Sequence, residues 1–106
     1  MPRTVILSSA RTPIGKLGGG LSTLPATHLG GVAIREALQR ADVDPAQVEH
    51  VVMGTVLQAG QGQIPSRQAQ INAGIPLDAH TLLIVSELTS IGIPASICAW
   101  RDGICP

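Results

Sequence analysis

Apolar positions along the chain come in bursts, separated by gaps rich in glycine and proline. The first burst, residues 4–10, is short and β-branched, the pattern of a buried strand. Arg11-Thr12-Pro13-Ile14-Gly15-Lys16 and Leu17-Gly18-Gly19-Gly20 follow as a loop. The period then changes. Leu29, Ala33, Ala37 and Ala41 fall four apart, and Val32, Ile34 and Leu38 widen the stripe into one apolar helix face. Thr23 and Pro25 suit the start of that helix, with a capping hydroxyl and a proline in the first turn. Glu36 and Arg40, at i and i+4, face solvent. Gly30 and Gly31 each cost the helix about 1 kcal/mol against alanine. Two of them together suit a turn where another backbone packs close, or an exposed one.

Asp44-Pro45-Ala46-Gln47 is a second cap, good for one helical turn, because residues 48–57 read as strand. Val51-Val52-Met53-Gly54-Thr55-Val56-Leu57 is apolar on both faces, as a parallel interior strand is. Strand, helix and strand make a βαβ unit, with a right-handed crossover expected. A second glycine loop, residues 59–63, leads to a helix from Pro65 through Ala73, with Gly74 at C′ and Pro76 as the stop. Leu82-Leu83-Ile84-Val85 can form a further strand. From Thr89 to Pro106 neither period is sustained. The texture changes near Leu77, which divides the chain into residues 1–76 and a tail, 77–106. The expected class is α/β, in the order βαβα.

Composition sharpens this picture. Of 106 residues, 44% are apolar and 13% charged, which points to a folded chain of one domain at most. Trp100 is the sole aromatic residue, so the core is Val, Ile, Leu and Ala. A domain of this size buries roughly 60–70% of its unfolded surface. With so little aromatic bulk, the chain reads as part of something larger. Seven basic and seven acidic side chains cancel, which leaves no electrostatic footprint for nucleic acid. No apolar run reaches the roughly 18 residues of a membrane span. The start lacks the apolar core of a signal peptide, so a cytoplasmic location is expected.

Candidate chemistry is sparse. Gly15-Lys16 and Gly18-Gly19-Gly20 match neither the P-loop nor the dinucleotide spacing, and a surface loop is the better reading. His28, His50 and His80 are scattered, with no metal-ligand spacing. Ser8, Ser9 and Ser66 have no His or Asp placed to activate them. Cys98, in Ser96-Ile97-Cys98-Ala99-Trp100, has only Arg101 as a cationic neighbour and reads as an inert buried thiol. Oxidation with Cys105 is a minor path in a reducing compartment. The two cysteines are half of a structural zinc site, and they give a redox or metal appendage little support. No residue is assigned a catalytic, cofactor-binding or metal-ligating role, and no cofactor is implied.

Several blocks, in order, nevertheless resemble one family. Residues 5–16, Val5-Ile6-Leu7 through Ile14-Gly15-Lys16, resemble the opening strand and loop of the thiolases. Residues 21–30 are similar to their first helix start, and Val52-Met53-Gly54-Thr55-Val56-Leu57-Gln58-Ala59-Gly60 to their second strand. Gly62-Gln63-Ile64-Pro65-Ser66-Arg67-Gln68-Ala69 and Ala73-Gly74-Ile75-Pro76 complete a resemblance that covers residues 4–76. It implies a fold of two similar α/β halves in α-β-α-β-α layers, assembled as dimers or tetramers, of which this chain matches the front of the first half. The closest branch, acetyl-CoA C-acetyltransferase, implies acyl transfer between CoA thioesters, with acetoacetyl-CoA formed or cleaved. CoA thioesters are then substrates of the complete parent enzyme only.

The family's nucleophile is a cysteine in an Asn-Lys-Val-Cys-x-Ser-Gly type motif, soon after the Gly-Ile-Pro. Here the stretch reads Val85-Ser86-Glu87-Leu88-Thr89-Ser90, with Leu88 about where the cysteine belongs. Cys98 comes some ten residues late without the flanking glycine and serine, so the role is not carried onto it. The family's histidine and second cysteine belong to its second half, and its CoA-binding loops follow the nucleophile. The expectation is an incomplete thiolase-type polypeptide, inactive alone, whose tail is a frameshift, a truncation or a natural divergence. The alternative is a short interaction module that pairs with a full-length thiolase subunit or with itself. The family commonly has asparagine at Ile64, where it would cap the helix; isoleucine cannot, at a cost of about 1 kcal/mol.

Overall fold

A computed structural model of the chain describes residues 3–55 and 60–85. Its elements are α1 (Ala26–Ala41), a single 3-10 turn (Pro45–Gln47), β1 (His50–Thr55), α2 (Pro65–Ala73) and β2 (His80–Val85). β1 and β2 pair in parallel, in register from His50 opposite His80 to Thr55 opposite Val85. The α2 connection between them completes a βαβ unit. That unit is not the one the sequence pattern favours, which runs from residues 4–10 through α1 to β1.

Residues 4–10 form no strand. A strand needs a neighbour to take its N–H and C=O groups, and propensity alone supplies none. The segment is instead tied to α1: Ser8 Oγ donates to the Ala37 carbonyl at 2.6 Å, and Arg40 Nη1 donates to the Ser9 carbonyl at 3.1 Å. Ala10 is buried, whereas Ile6 is 80% exposed.

α1 begins one residue beyond Pro25, which therefore occupies the N-cap and supplies no side-chain acceptor. Thr23 lies two residues too early to cap and is exposed. The apolar face buries Ala33, Ile34, Ala37 and Leu38 as expected, while Val32 turns to solvent. The Glu36–Arg40 pair closes at 2.8 Å on the surface. At the far end Asp42 takes the left-handed conformation, φ 54°, and the Val43 N–H reaches back to the Leu38 carbonyl.

The two glycines mark where α1 crosses α2. A Cβ on Gly31 would lie 2.6 Å from Asn72 Cβ and 3.3 Å from the Ala69 carbonyl oxygen. One on Gly30 would meet Met53 Cε at 3.1 Å and Ala69 Cβ at 3.2 Å. Close helix approach, one of the two settings the sequence suggests, is the one realised. Asp44 caps the 3-10 turn as expected, its Oδ1 accepting from the Ala46 N–H at 2.9 Å.

The core gathers Ile34 and Leu38 of α1, Val48, Val51 of β1, Ala69 and Ala73 of α2, and Ile75 and Ala79. Among the described residues the helices cover one face of the sheet, in contrast to the doubly buried strand that the pattern of residues 51–57 predicts. Val51 points inward, while Val52, Leu82 and Ile84 are 54%, 56% and 47% exposed on the other face. Residues 56 and 57 lie outside the described residues. None of the described helices is long and apolar enough to cross a membrane.

Candidate functional site

Parallel strands present their carboxyl ends at one edge, the usual location of a ligand site in an α/β sheet. Here that edge holds Thr55 and Val85, together with the loop that enters α2. The loop carries three left-handed residues in alternation: Gly60 at φ 73°, Gly62 at φ 82° and Ile64 at φ 46°. Gln68 Nε2, one turn into the helix, pins it by donating to the Gln61 carbonyl at 2.9 Å and the Gln63 carbonyl at 3.0 Å. Ile64 is the N-cap of α2; its carbonyl accepts from the Arg67 and Gln68 N–H groups, but its side chain caps nothing.

Behind this loop lies a polar brace. Arg67 Nη1 donates to the Ala79 carbonyl at 2.9 Å and Gln70 Oε1 at 3.3 Å, and its Nη2 donates to the Leu77 carbonyl. Gln70, completely buried, donates from Nε2 to the Pro76 carbonyl at 2.6 Å, while its Oε1 accepts from the Thr81 hydroxyl. The guanidinium fork thus ties the start of α2 to the turn before β2. An open cleft of about 350 Å³ runs along it, lined by Ile64, Arg67, Leu77, Asp78, Ala79 and Thr81 among others. Arg67 is committed to backbone carbonyls, so its chemistry is to hold the loop geometry. Ser66 is 1% exposed, and its hydroxyl has no hydrogen-bond partner among the described residues.

The brace is invisible to motif reading, but it left a signal. Ser66, Ala69, Gln70 and Ala73 recur at i, i+3, i+4 and i+7, which places a polar amide inside the buried stripe of α2.

The other candidates are spread out. Lys16 closes a turn, its carbonyl accepting from the Gly19 N–H at 2.8 Å, and the Ser22 hydroxyl donates to the Gly19 carbonyl at 2.6 Å. That loop does not run directly into α1. Ser8 is used by α1, as described. His28 is exposed on α1, far in sequence from His50 and His80. Those two, scattered along the chain, are brought face to face by the strand register, with ring centroids 5.2 Å apart and an interplanar angle of 23°. Among the described residues no group of three or more His, Cys, Asp and Glu could hold a metal ion. Leu88, Cys98, Trp100 and Cys105 lie outside the described residues.

Comparison with known proteins places this geometry. Residues 4–103 match the family model for the thiolase N-terminal domain. The match continues through β2 and past the change of texture near Leu77. Acetyl-CoA acetyltransferase from Cupriavidus necator is 57% identical over 99 residues, covering 93% of this chain and 25% of that protein. Mitochondrial acetyl-CoA acetyltransferase B from Xenopus laevis is 46% identical over 108 residues, covering 98% of this chain and 26% of its own length. The solved structure of acetyl-CoA acetyltransferase from Syntrophomonas wolfei superposes with a TM-score of 0.71 at 35% identity, over 77% of this chain and 21% of that one. The chain thus spans about a quarter of the length of the curated relatives it matches.

Proposed function

The chain belongs to the thiolase family, and from that premise we propose that it supplies the front of the amino-terminal half of an acetyl-CoA acetyltransferase-type enzyme. The parent activity is acyl transfer between CoA thioesters, with acetoacetyl-CoA formed or cleaved. By itself this chain does not carry the reaction. The observation behind this reading is in the sequence: Val85-Ser86-Glu87-Leu88-Thr89-Ser90 stands about where the family resemblance expects the nucleophilic cysteine, with Leu88 near its position. Acyl transfer through the enzyme needs a thiolate to attack the thioester carbonyl and expel CoA, which an aliphatic side chain cannot do. The loop at the carboxyl edge and the Arg67 brace then act as scaffold for a centre completed elsewhere.

Incubation of the purified chain with acetyl-labelled acetyl-CoA, followed by denaturing gel and peptide mapping, tests this directly. No protein-bound label is expected. Stable label on Cys98 or Cys105 would overturn the reading, because either cysteine would then be a competent nucleophile.

A second reading, an interaction module that pairs with a full-length thiolase subunit, is favoured by the uncovered sheet face with Val52, Leu82 and Ile84. Under it, the chain co-elutes with a full-length acetyl-CoA acetyltransferase in size-exclusion chromatography. Separate elution at micromolar concentration disposes of it.

A further inference from the structure

We propose that His50 and His80 form a two-histidine site for a zinc-class cation at the amino-terminal edge of the sheet. The parallel register places the two residues directly opposite each other, at the first rung of the ladder. Both are exposed, on the face the helices leave open. The rung is fixed by backbone: the His80 N–H donates to the Glu49 carbonyl at 2.8 Å. The two backbones are therefore held side by side before any ion arrives, which lowers the ordering cost of binding.

The spacing suits the ion. Imidazole nitrogens bind zinc at about 2.0–2.1 Å, so two histidines at tetrahedral positions hold their ring centroids about 5 Å apart. The observed separation is 5.2 Å. The ring planes are 23° apart and stacked, so the rings must turn for one nitrogen of each to face a common ion. Imidazole suits zinc, copper and nickel, whereas calcium and magnesium prefer oxygen donors. No third His, Cys, Asp or Glu completes the shell among the described residues. Water fills the remaining positions, and the site is exchangeable rather than structural. Bound there, the ion clips β1 to β2 at their amino-terminal end; His80 also borders the cleft beside Arg67, but the proposal rests on the His50–His80 pair and not on the acyl-transfer reading.

The test uses the full chain with Cys98 and Cys105 alkylated, because thiolates are competing zinc ligands. Zinc chloride is titrated against a chromophoric zinc indicator, with His50→Gln, His80→Gln and His28→Gln alongside. One zinc per chain is expected. Loss of a supporting group beyond the ligands already costs 10–100-fold in metal affinity, so loss of either ligand should weaken binding roughly tenfold or more. His28→Gln should bind as the parent does. A parallel thermal scan should show zinc raising the Tm of the parent and leaving that of His80→Gln unmoved. The proposal fails if the parent takes up no zinc, if His80→Gln binds as tightly as the parent, or if His28→Gln loses affinity equally.

Discussion

Ile64 holds φ 46° and ψ 70° while serving as the N-cap of α2, and it is poorly suited to both tasks. A β-branched residue in the left-handed region is strained by about 1–3 kcal/mol, and its side chain offers no acceptor to the helix N–H groups. Asparagine tolerates that conformation and caps as well. Ile64→Asn should therefore stabilise the chain by about 1–2 kcal/mol in urea unfolding; an unchanged or lower midpoint would contradict the strain. Gly31 presents the opposite balance. Alanine would help an isolated helix by about 1 kcal/mol. At this position its Cβ would collide with Asn72 Cβ, and overpacking of this kind costs about 1–3 kcal/mol. Gly31→Ala should lower the unfolding midpoint, whereas Gly20→Ala, with nothing within 4 Å of the added carbon, should change stability by less than about 0.5 kcal/mol. Arg67→Lys keeps the charge but removes the fork that serves the Leu77 and Ala79 carbonyls. A loss of about 1–3 kcal/mol is expected, and full stability in the lysine variant would show that charge alone suffices.

At the scale of elements, what could be read from the sequence depended on the range of the forces involved. Asp44 before Pro45, Gly74 after Ala73, and Glu36 four residues before Arg40 are local arrangements, and each forms where the pattern puts it. The glycine pair in α1 is half local: its cost shows in the sequence, but its reason is a helix that arrives some forty residues later. Residues 4–10 illustrate the limit. Their β-propensity is plain, yet a strand exists only against a partner, and here the segment is tied to α1 through Ser8 and Ser9. The same limit hid the meeting of His50 with His80, since register is a property of two strands and no spacing along one of them reveals it. Gln70 is the intermediate case, legible as a polar residue in an apolar stripe but not by its partners Pro76 and Thr81.

Across the whole molecule, the main asymmetry is between the two faces of the sheet. One is sealed by the helices over Val51; the other carries Val52 and Leu82, half-exposed in one rung, and Ile84 two rungs on. In a family whose members are about four times as long as this chain, a face left open here is surface that apolar neighbours can cover. For the chain alone, self-association through this face is the expected outcome. Leu82→Thr with Ile84→Thr keeps the β-branched or strand-compatible character while it removes apolar area. In sedimentation velocity the double variant should show less concentration-dependent association than the parent, at similar stability. Equal association in both would move the cause away from this face.

The parallel pairing of β1 with β2 also sets the order of events in folding. Antiparallel neighbours can zip outward from a tight turn, but these two strands cannot touch until the intervening chain has closed into α2 and laid itself across them. The loop-closure entropy falls due before any rung rewards it. Assembly of the sheet is therefore expected late, after closure of the connection that holds the nine-residue helix. A Gln68→Ala variant, which loses the two bonds that pin the entrance, is therefore expected to slow refolding in a stopped-flow measurement as well as lower stability.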